Sequence, residues 1–334
     1  MIRAPLNGRS RYLTVLIATC NRLESLRQTV ESIRVSTNVS HEIIVIDGGS
    51  NDGTIEYLKS EPGLTSLFQG KMLGTARAYN EAWRQVDSEF TCWLSDDTQV
   101  MPGSLDLAVD ILESDQQIGM VGLKMRDSVG PNRLRKYLGA ISDFGIINCN
   151  HGVLRTSLLR SIGYFNERYH SYTIDPDLTA SVLCTGRSVV MTRDVSVVHE
   201  RRWAEHMSSA EMHAAMARPN NQAVYREKFG FLGVRYRTAP WNKAFRRAIT
   251  ILTTILNRFK FDFILPGASV HDLEVVLTSR YCSKRELWRN RSRPFHLVQH
   301  IPFRKLGSAG NPYLDLFASF QTTRRSEARR RGPI

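Results

Sequence analysis

The sequence predicts an α/β fold in which a mixed, mostly parallel central sheet is flanked by helices. Over the first two hundred residues, short β-branched apolar runs alternate with segments whose apolar residues recur at helical spacing. Such alternation is typical of parallel sheets, because a helix crosses between neighbouring strands and covers the sheet. Several predicted strands end at polar or acidic residues, and ligands of such sheets bind beyond the carboxyl ends of the strands. We therefore expect one ligand crevice where these strand ends meet.

The first two strand and helix units are predicted from their apolar patterns. Residues 12–18 form a short β-branched run, and residues 23–33 carry apolar side chains every three or four positions. Residues 42–46 are a second buried-type strand, which ends at Asp47. A glycine-rich turn then leads into a helix at residues 54–59.

The third unit is a helix at residues 76–86 followed by a strand at residues 90–94, which ends at Ser95, Asp96 and Asp97. The polar ends of all three strands are thus expected in one crevice. Later elements follow a looser pattern. Strands are predicted at residues 120–123, 189–191 and 195–198, and a loop at residues 127–133. Three helical segments are predicted: one that follows residues 152–155 and runs through Ile162, one that ends near Cys184, and a basic one at residues 245–263.

The adjacent carboxylates of Asp96 and Asp97 are the most informative feature. Burying ionised carboxylates is strongly unfavourable unless cations or donors compensate, so the pair is predicted at a strand end. Neighbouring side chains on an extended chain point to opposite faces, so one carboxylate is expected to face a metal ion and the other a ligand's hydroxyl groups. A carboxylate-rich turn after the strand is the alternative.

The composition is that of a soluble globular protein with one large domain or two smaller ones: 334 residues, 42% hydrophobic and 23% charged. The net charge is +13, and Lys and Arg crowd the region after Arg201. Such asymmetry is typical of proteins that meet nucleic acid or an anionic membrane surface, and of solvated tails. No nucleic-acid-binding motif or aromatic platform accompanies the charge, so nucleic acid is disfavoured.

Cysteine usage and hydropathy indicate a cytoplasmic protein. The five cysteines are far apart and form none of the close pairs expected of a zinc site or redox motif. The amino terminus has no apolar segment typical of a signal peptide. No apolar run approaches the roughly 20 residues that a membrane span needs. Peripheral attachment to the inner face of the membrane stays open as an alternative.

Four motifs occur in order along the chain and carry a resemblance to a known family. Together they resemble those of the family-2 inverting glycosyltransferases of the GT-A fold, over about residues 12–199. They are Ala18-Thr19-Cys20-Asn21-Arg22, the stretch from Val45 through Asp47 and Asp52 to Thr54, Leu94-Ser95-Asp96-Asp97, and the stretch from Asp175 through His199.

The resemblance implies an enzyme that moves a sugar, with inversion, from a nucleotide-sugar donor (UDP-, GDP- or dTDP-linked) to a hydroxyl acceptor. The acceptor would be a glycan, a lipid-linked saccharide or a polysaccharide. A divalent cation, Mn²⁺ or Mg²⁺, is implied as cofactor, and such cations favour oxygen ligands. Residues 1–235 would form the catalytic domain, and residues 236–334 a mainly helical basic region, with its last ~12 residues flexible because like charges repel.

The resemblance also assigns roles on the donor side. Asp97 would ligate the metal and Asp96 would face the ribose, while Ser95 stands where the family usually has an acidic residue. Asp47 would accept a hydrogen bond from the nucleobase or ribose, with a turn or cap role as the alternative.

Further donor contacts are implied on the first-strand loop and on the third helix. Thr19, Asn21 and Arg22 match the loop that lies against the nucleotide, where Arg22 would neutralise phosphate or solvate a helix start. Arg77 and Asn80 match a segment that lines the donor pocket, although an Arg and an Asn three residues apart also describe an exposed helix face.

The resemblance places the general base in an acidic motif. The predicted helix that ends near Cys184 follows this motif. Asp175 occupies the base position, and Ile174 replaces the preceding Glu of the family motif, which removes a contact to the acceptor. Asp177 is the competing candidate, although an Asp just before an apolar run is also typical of a helix N-cap.

The end of the predicted strand at residues 195–198 supplies the last candidates. His199 would be a further metal ligand, with a hydrogen-bonded strand-end histidine as the alternative. Trp203 and His151 are expected on the acceptor side, since indole stacks on sugar faces.

Two other classes of protein were weighed. A non-catalytic nucleotide-sugar, nucleic-acid or anionic-surface binding protein would use the basic carboxyl-terminal region. That region would otherwise pack on the catalytic domain, join protomers or rest on a membrane surface. A dehydrogenase is disfavoured, because no glycine-rich turn follows the first strand to admit a pyrophosphate.

Overall fold

A computed structural model shows how these elements assemble. It describes residues 12–128, 137–138, 142, 144–169, 173–200, 220–233, 244, 248, 251–252, 255, 272, 275–277, 279–282, 284–290 and 292–331. Trp203, most of the segment at residues 245–263 and the last three residues lie outside these ranges.

The predicted fold class is confirmed: within the described residues the central sheet has eight strands, in the order β12-β10-β6-β9-β4-β1-β2-β3. Four of its neighbouring pairs are parallel and three are antiparallel, so the sheet is mixed and mostly parallel. Its strands are β1 Tyr12–Thr19, β2 Ser40–Asp47, β3 Leu64–Phe68, β4 Phe90–Ser95, β6 Ile118–Gly122, β9 Gly152–Arg155, β10 Ser188–Thr192 and β12 Phe295–Gln299.

A second, smaller sheet lies beside the carboxyl end of β4. Its described strands follow the order β5-β11-β7-β8. The bounds are β5 Thr98–Val100, β7 Met125–Asp127, β8 Tyr137–Leu138 and β11 Val197–His199.

Helices cover both faces of the central sheet. The described helices are α1 Leu23–Ser36, α2 Thr54–Ser60, α3 Thr75–Trp83, α4 Ser104–Ser114, α5 Thr156–Ile162, α6 Ile174–Cys184, α7 Asn220–Phe229, α8 Lys284–Arg289, α9 Phe303–Leu306 and α10 Leu314–Arg331, with a 3₁₀ turn at Gly230–Leu232.

Alternation along β1 explains why both faces are buried. Leu16 belongs to the apolar core on one face of the sheet, together with Trp83 of α3. Val15 and Ile17 belong to the core on the other face, together with Leu26 of α1. A strand buried on both sides is mostly apolar, which is why the run at residues 12–18 shows no polar alternation; its buried Thr14 is satisfied by a hydrogen bond to Ser88 Oγ at 2.7 Å.

Several elements differ from the sequence-based predictions. β3, α4 and the small-sheet strand β5 were not predicted, and residues 152–155 form an antiparallel strand of the central sheet. The predicted loop starting at Asp127 was wrong at its first residue, because Asp127 ends strand β7 and pairs with His199 of β11. The missed strands are short and become ordered by pairing with distant partners, which no local pattern encodes. The helix α4 does carry a local pattern, since its buried residues Leu105, Val109 and Leu112 recur at helical spacing.

The carboxyl-terminal region contributes to the central sheet. β12 pairs antiparallel with β10 and closes one edge. Gln299 in β12 is fully buried and joins this strand to the loop before β9: Ile147 N donates to its Oε1 at 3.0 Å, and its Nε2 donates to Gly145 O at 3.0 Å. The division at residue 235 stays a prediction, but the two regions share one sheet.

The search of the described helices found none that is both long and apolar enough to cross a membrane. The five cysteines are all free thiols.

Candidate active site

Three strand ends meet at one edge of the central sheet, as the sequence predicts. In the parallel register of β1 and β2, Thr19 pairs with Asp47. In that of β1 and β4, Ala18 pairs with Ser95. The polar residues that follow these strands therefore lie side by side at the carboxyl ends of β2, β1 and β4.

Asp96 and Asp97 occupy a two-residue turn between β4 and β5. The expectation that they point to opposite faces was wrong, because a turn does not alternate its side chains as an extended strand does. Both carboxylates contact one guanidinium: Nη1 of Arg22 donates to Asp96 Oδ1 at 2.9 Å and to Asp97 Oδ2 at 3.1 Å. The pair is thus compensated by a cation of the protein itself.

The other oxygen of Asp96 is held by the first strand. Thr19 Oγ1 donates to Asp96 Oδ2 at 2.8 Å. Burial raises the pKa of Asp96 to about 6, and the nearby charge of Asp97 acts in the same direction, whereas Arg22 and Thr19 lower it. Thr19, Arg22 and Asp96 therefore form one contact group at the end of β1.

Asp97 also contacts a histidine of the small sheet. Nε2 of His199 lies 3.1 Å from Asp97 Oδ1, and Nδ1 of His199 lies 3.2 Å from Asp127 Oδ1. Burial opposes ionisation of Asp97, but His199 and Arg22 outweigh it and hold its pKa well below the usual range. His199 has a raised pKa: burial lowers it, and the contacts with Asp127 and Asp97 outweigh that effect.

A second histidine lies close to this group. His151, 4% exposed, has its ring centre 6.5 Å from that of His199. Burial, and then the charge of His199, lower the pKa of His151 to about 3, so its ring is neutral. The acceptor-side role of His151 stays a prediction, and its ring adjoins the residues predicted to bind the metal.

Asp47 organises the turn after β2. Its carboxylate is fully buried and accepts hydrogen bonds from the backbone N–H groups of Gly49 at 2.9 Å and Ser50 at 3.1 Å. Gly49 has φ +91°, and a Cβ there would lie 2.6 Å from Gly70 O. The turn role weighed for Asp47 is therefore present, and its predicted contact with the nucleotide stays a prediction.

Asn21 joins the first two strand-end loops. Its backbone N–H donates to Ser50 Oγ at 2.8 Å, and its side-chain Oδ1 accepts from the Asn51 N–H at 2.7 Å. Asn21 has φ +54°, a left-handed conformation that Asn adopts more readily than most residues. This residue shapes the loop predicted to lie against the nucleotide.

Asp175 lies in the first turn of α6. Desolvation raises its pKa to about 7, while the Trp93 indole N–H acts in the opposite direction. Trp93 belongs to β4, and Asp175 also lies near Tyr79 of α3, whose pKa is raised by burial and then by the charges of Asp96 and Asp175. Tyr79 Oη donates to Leu94 O at 2.6 Å, so Asp175 lies near the carboxyl end of β4.

Asp177 is engaged in the protein interior. It is 1% exposed and accepts hydrogen bonds from Lys228 Nζ at 2.6 Å and Tyr169 Oη at 3.0 Å. These contacts tie α6 to α7, which is a structural task. Its predicted substrate contact stays a prediction.

Arg77 and Asn80 lie on α3 and contact the same turn. Asn80 is 1% exposed and donates to Phe165 O at 2.8 Å and to Glu167 Oε1 at 3.0 Å. Arg77 is exposed, with its Nε 3.7 Å from Glu167 Oε2. Asn80 therefore fixes the loop before α6, and the donor contacts predicted for both residues stay predictions.

The donor atoms around Asp97 suit a divalent cation. Asp97 Oδ1 is buried and lies 3.1 Å from His199 Nε2, and both ring nitrogens of His151 are buried atoms for which no hydrogen bond is found in the described part of the chain. Carboxylate oxygen and neutral imidazole nitrogen are suitable ligands for Mn²⁺. No complete cluster of three or more His, Cys, Asp or Glu with metal-binding geometry was found among the described residues. A donor's phosphate oxygens could complete such a shell.

The comparison with known families identifies the chain. Residues 14–196 match the family described as "Glycosyl transferase family 2". This chain belongs to that family. The predictions of the family, of the fold class and of an enzyme are therefore confirmed.

Individual relatives of this chain match at low identity. TagX of Staphylococcus aureus strain MRSA252, named as a glycosyltransferase, is 30% identical over 118 residues, which cover 33% of each chain. An uncharacterized glycosyltransferase of Rickettsia typhi is 27% identical over 187 residues, covering 52% of this chain and 58% of that one. The chain thus spans about a third of the length of TagX.

Two solved structures are also similar. The mannosyltransferase PcManGT from Pyrobaculum calidifontis, in complex with GDP-Man and Mn²⁺, matches at TM-score 0.49 and 21% identity over 81% of both chains. TarS of S. aureus matches at TM-score 0.47 and 15% identity, covering 84% of this chain and 53% of that one.

Sequence reasoning missed two features of the site. Asp127 is predicted in a loop, but it is the acidic last residue of the short strand β7, just as Asp47 is the last residue of β2. The double contact of Arg22 with Asp96 and Asp97 was also missed, because no local pattern shows which side chain will face a distant turn.

Proposed function

We propose that this chain is a metal-dependent, inverting glycosyltransferase that moves a sugar from a nucleotide-sugar donor to a hydroxyl acceptor. The observation that carries the proposal is the position of Asp47 at the end of β2 and of Asp96 and Asp97 after β4, on either side of β1, with Asp175 near the end of β4. The proposed donor-binding residues and the proposed base therefore lie around the same strand ends.

On the donor side, we assign the nucleoside to Asp47 and Asp96, and the loop of Thr19 and Asn21 would lie against it. Arg22 already holds positive charge beside two carboxylates. Arginine pairs well with phosphate, so its guanidinium would bind the donor diphosphate while limiting repulsion between that group and the aspartates. Arg77 and Asn80 would border the same pocket.

Asp97 and His199 would hold a divalent cation, Mn²⁺ or Mg²⁺. When bound, such an ion neutralises charge that builds on the diphosphate as the sugar leaves. Ser95 stands where a carboxylate is usual, so nearby protein donors matter more here.

Asp175 would act as the general base. The acceptor oxygen forms a bond to the anomeric carbon, the bond from that carbon to the diphosphate oxygen breaks, and the acceptor proton passes to the Asp175 carboxylate. A base works best when its pKa is near the working pH, and the pKa of Asp175 is raised to about 7. Asp177 is a weaker candidate, because Lys228 and Tyr169 occupy its carboxylate.

The base assignment is tested with Asp175→Asn. Transfer should fall by at least about 10²-fold, the lower range for loss of a general base, while donor affinity stays within about twofold. In the wild type, the rate should rise as the pH rises through about 7, because Asp175 must be ionised to accept the proton. Retained transfer in the variant would reject the assignment, and a product with the donor's anomeric configuration would reject inversion.

The substrates are proposed at the level of chemical class. A UDP-, GDP- or dTDP-linked sugar is the donor, and a glycan, a lipid-linked saccharide or a polysaccharide is the acceptor. The basic carboxyl-terminal region would rest on an anionic membrane surface, where lipid-linked acceptors lie, or join two protomers. Trp203, outside the described residues, is proposed on the acceptor side.

A screen for thermal stabilisation tests the donor class. Nucleotide sugars are added one at a time with Mn²⁺, and a ligand that binds only the native state raises the melting temperature. Asp97→Ala should lose the metal-dependent part of the shift. Failure of every nucleotide sugar to shift the wild-type transition would contradict the proposed donor class.

A further inference from the structure

In the small sheet, the carboxylate of Asp127 lies beside the His199 ring nitrogen that faces away from Asp97. Asp127 and His199 end neighbouring strands, β7 and β11, and are paired in register. On the other side of β11, His199 pairs with Thr98 of β5, the residue directly after Asp97. The register thus places Asp127 beside His199 on one side, and Asp97 one residue before the partner of His199 on the other.

The two imidazole nitrogens face different carboxylates. Nδ1 lies 3.2 Å from Asp127 Oδ1, and Nε2 lies 3.1 Å from Asp97 Oδ1. The backbone anchors both ends: Ser128 N–H donates to His199 O at 3.1 Å, and Glu200 N–H donates to Asp97 O at 2.9 Å. His199 and Asp127 are well covered, with side chains 12% and 1% exposed.

The burial of Asp127 limits the groups that its carboxylate can contact. A buried carboxylate needs a hydrogen-bond donor, and the ring N–H at Nδ1 is one that Asp127 faces. If Nδ1 carries the hydrogen, Nε2 is left with a lone pair directed at Asp97. Histidines that bind metals usually donate their other N–H to a carboxylate or carbonyl in this way, which fixes the ring's orientation and tautomer.

We propose that Asp127 is a positioning residue that holds His199 as the Nδ1–H tautomer, so that Nε2 points at the cation position beside Asp97. This rests on the proposed function, in which Asp97 and His199 hold a divalent cation. Asp127 itself would not touch the cation. Its contribution would be larger here than in a site with more acidic ligands, because Ser95 supplies no carboxylate.

The first test measures metal affinity rather than transfer. The concentration of free Mn²⁺ is measured by electron paramagnetic resonance while the metal is titrated into the full chain in the presence of UDP or GDP. Asp127→Asn should bind Mn²⁺ about 10 to 100-fold more weakly than the wild type, the usual cost of losing such an outer partner. Asp127→Glu, which keeps a carboxylate, should recover part of the affinity.

Asp106→Asn is the matched control. Asp106 also accepts backbone hydrogen bonds, from Asn38 at 2.9 Å and Val39 at 2.5 Å, and it lies on α4, outside the site. Its variant should bind Mn²⁺ as the wild type does. Equal weakening in both variants would show a general effect on the fold and overturn the proposal.

The second test reads the tautomer directly. Nitrogen-15 NMR of histidine-labelled, metal-free wild type, recorded at a pH above the raised pKa of His199, should show the neutral ring protonated at Nδ1, with the signal assigned by its loss in His199→Ala. A ring protonated at Nε2 alone would overturn the proposal, even if Asp127→Asn did not fold.

The remaining outcomes separate the two proposals. If His199→Ala and Asp97→Ala weaken Mn²⁺ binding but Asp127→Asn does not, only the role of Asp127 is overturned. If neither His199→Ala nor Asp97→Ala changes Mn²⁺ binding, the proposed metal site is wrong, and the positioning role falls with it.

Discussion

Arg22 lies between two carboxylates that would otherwise repel one another. Its Nη1 is 2.9 Å from Asp96 and 3.1 Å from Asp97, and all three side chains are largely buried. Removing one partner of a buried ion group leaves the others uncompensated, which costs more than the pair itself contributes. Arg22 is therefore expected to stabilise the site before any ligand binds.

Arg22→Ala should lower the free energy of unfolding by about 1–3 kcal/mol at pH 7, because two buried carboxylates lose their shared donor. Donor affinity should fall as well, since the positive charge proposed for the diphosphate is gone. Urea unfolding and calorimetric titration with the nucleotide sugar measure the two effects.

Arg168→Ala is the control for this prediction. Arg168 pairs with Glu227 through a similar contact of 2.7 Å, but both side chains are more than half exposed. Exposed pairs contribute little to stability, so this variant should change the unfolding transition much less. An equal effect of the two substitutions would contradict the role given to Arg22.

At the scale of elements, the turn between β2 and α2 depends on close contact with a neighbouring loop. Gly49 has φ +91°, and its backbone lies so near Gly70 that a Cβ would meet the Gly70 carbonyl oxygen at 2.6 Å. Asp47 holds this turn by accepting the Gly49 and Ser50 N–H groups. The turn, and with it the predicted nucleoside contact, therefore needs a glycine.

Gly49→Ala should destabilise the protein and weaken donor binding, because the turn must move away from Gly70. Gly103→Ala separates strain from crowding: Gly103 also has a positive φ, +70°, but a Cβ there meets nothing within 4 Å. We expect Gly103→Ala to cost about 1–2 kcal/mol for the left-handed conformation alone and to leave donor affinity unchanged. Thermal unfolding and donor titration check both; similar donor affinity in the two variants would contradict the prediction.

At the scale of the whole molecule, the carboxyl-terminal region completes the sheet that carries the site. β12 covers the edge at β10. The fully buried Asp272 also contributes, because it accepts a hydrogen bond from Lys124 Nζ at 3.0 Å, just after β6. A buried ion pair and a shared strand make independent unfolding of the two regions unfavourable.

Gln299→Ala tests this coupling. Its side chain bonds three backbone groups, those of Gly145, Ile147 and Arg280, and the substitution leaves them unpaired in the interior. We expect a loss of about 2–4 kcal/mol in unfolding free energy, from a penalty of about 1–3 kcal/mol for each buried group and partial relaxation. Unfolding should remain one cooperative transition.

Gln85→Ala, at an exposed position of the same residue type, is the control and should stay near the wild type. Two separate transitions in the wild-type chain would contradict the coupling, because they would show that the carboxyl-terminal region unfolds alone.

The sequence by itself determined the α/β class, the first strands and the strand ends that carry Asp47, Asp96 and Asp97. These follow from local patterns: apolar runs favour buried strands, and ionised side chains are excluded from them. The order of the motifs was also enough to indicate the family. Neither required knowledge of which residues meet in space.

Only the tertiary structure decided the contacts made across the sheets. It placed Arg22 on both carboxylates, engaged Asp177 with Lys228, and put Asp127 behind His199. The physical reason is that each contact joins residues far apart in the chain, and strand register and turn geometry, rather than local periodicity, determine which side chains meet.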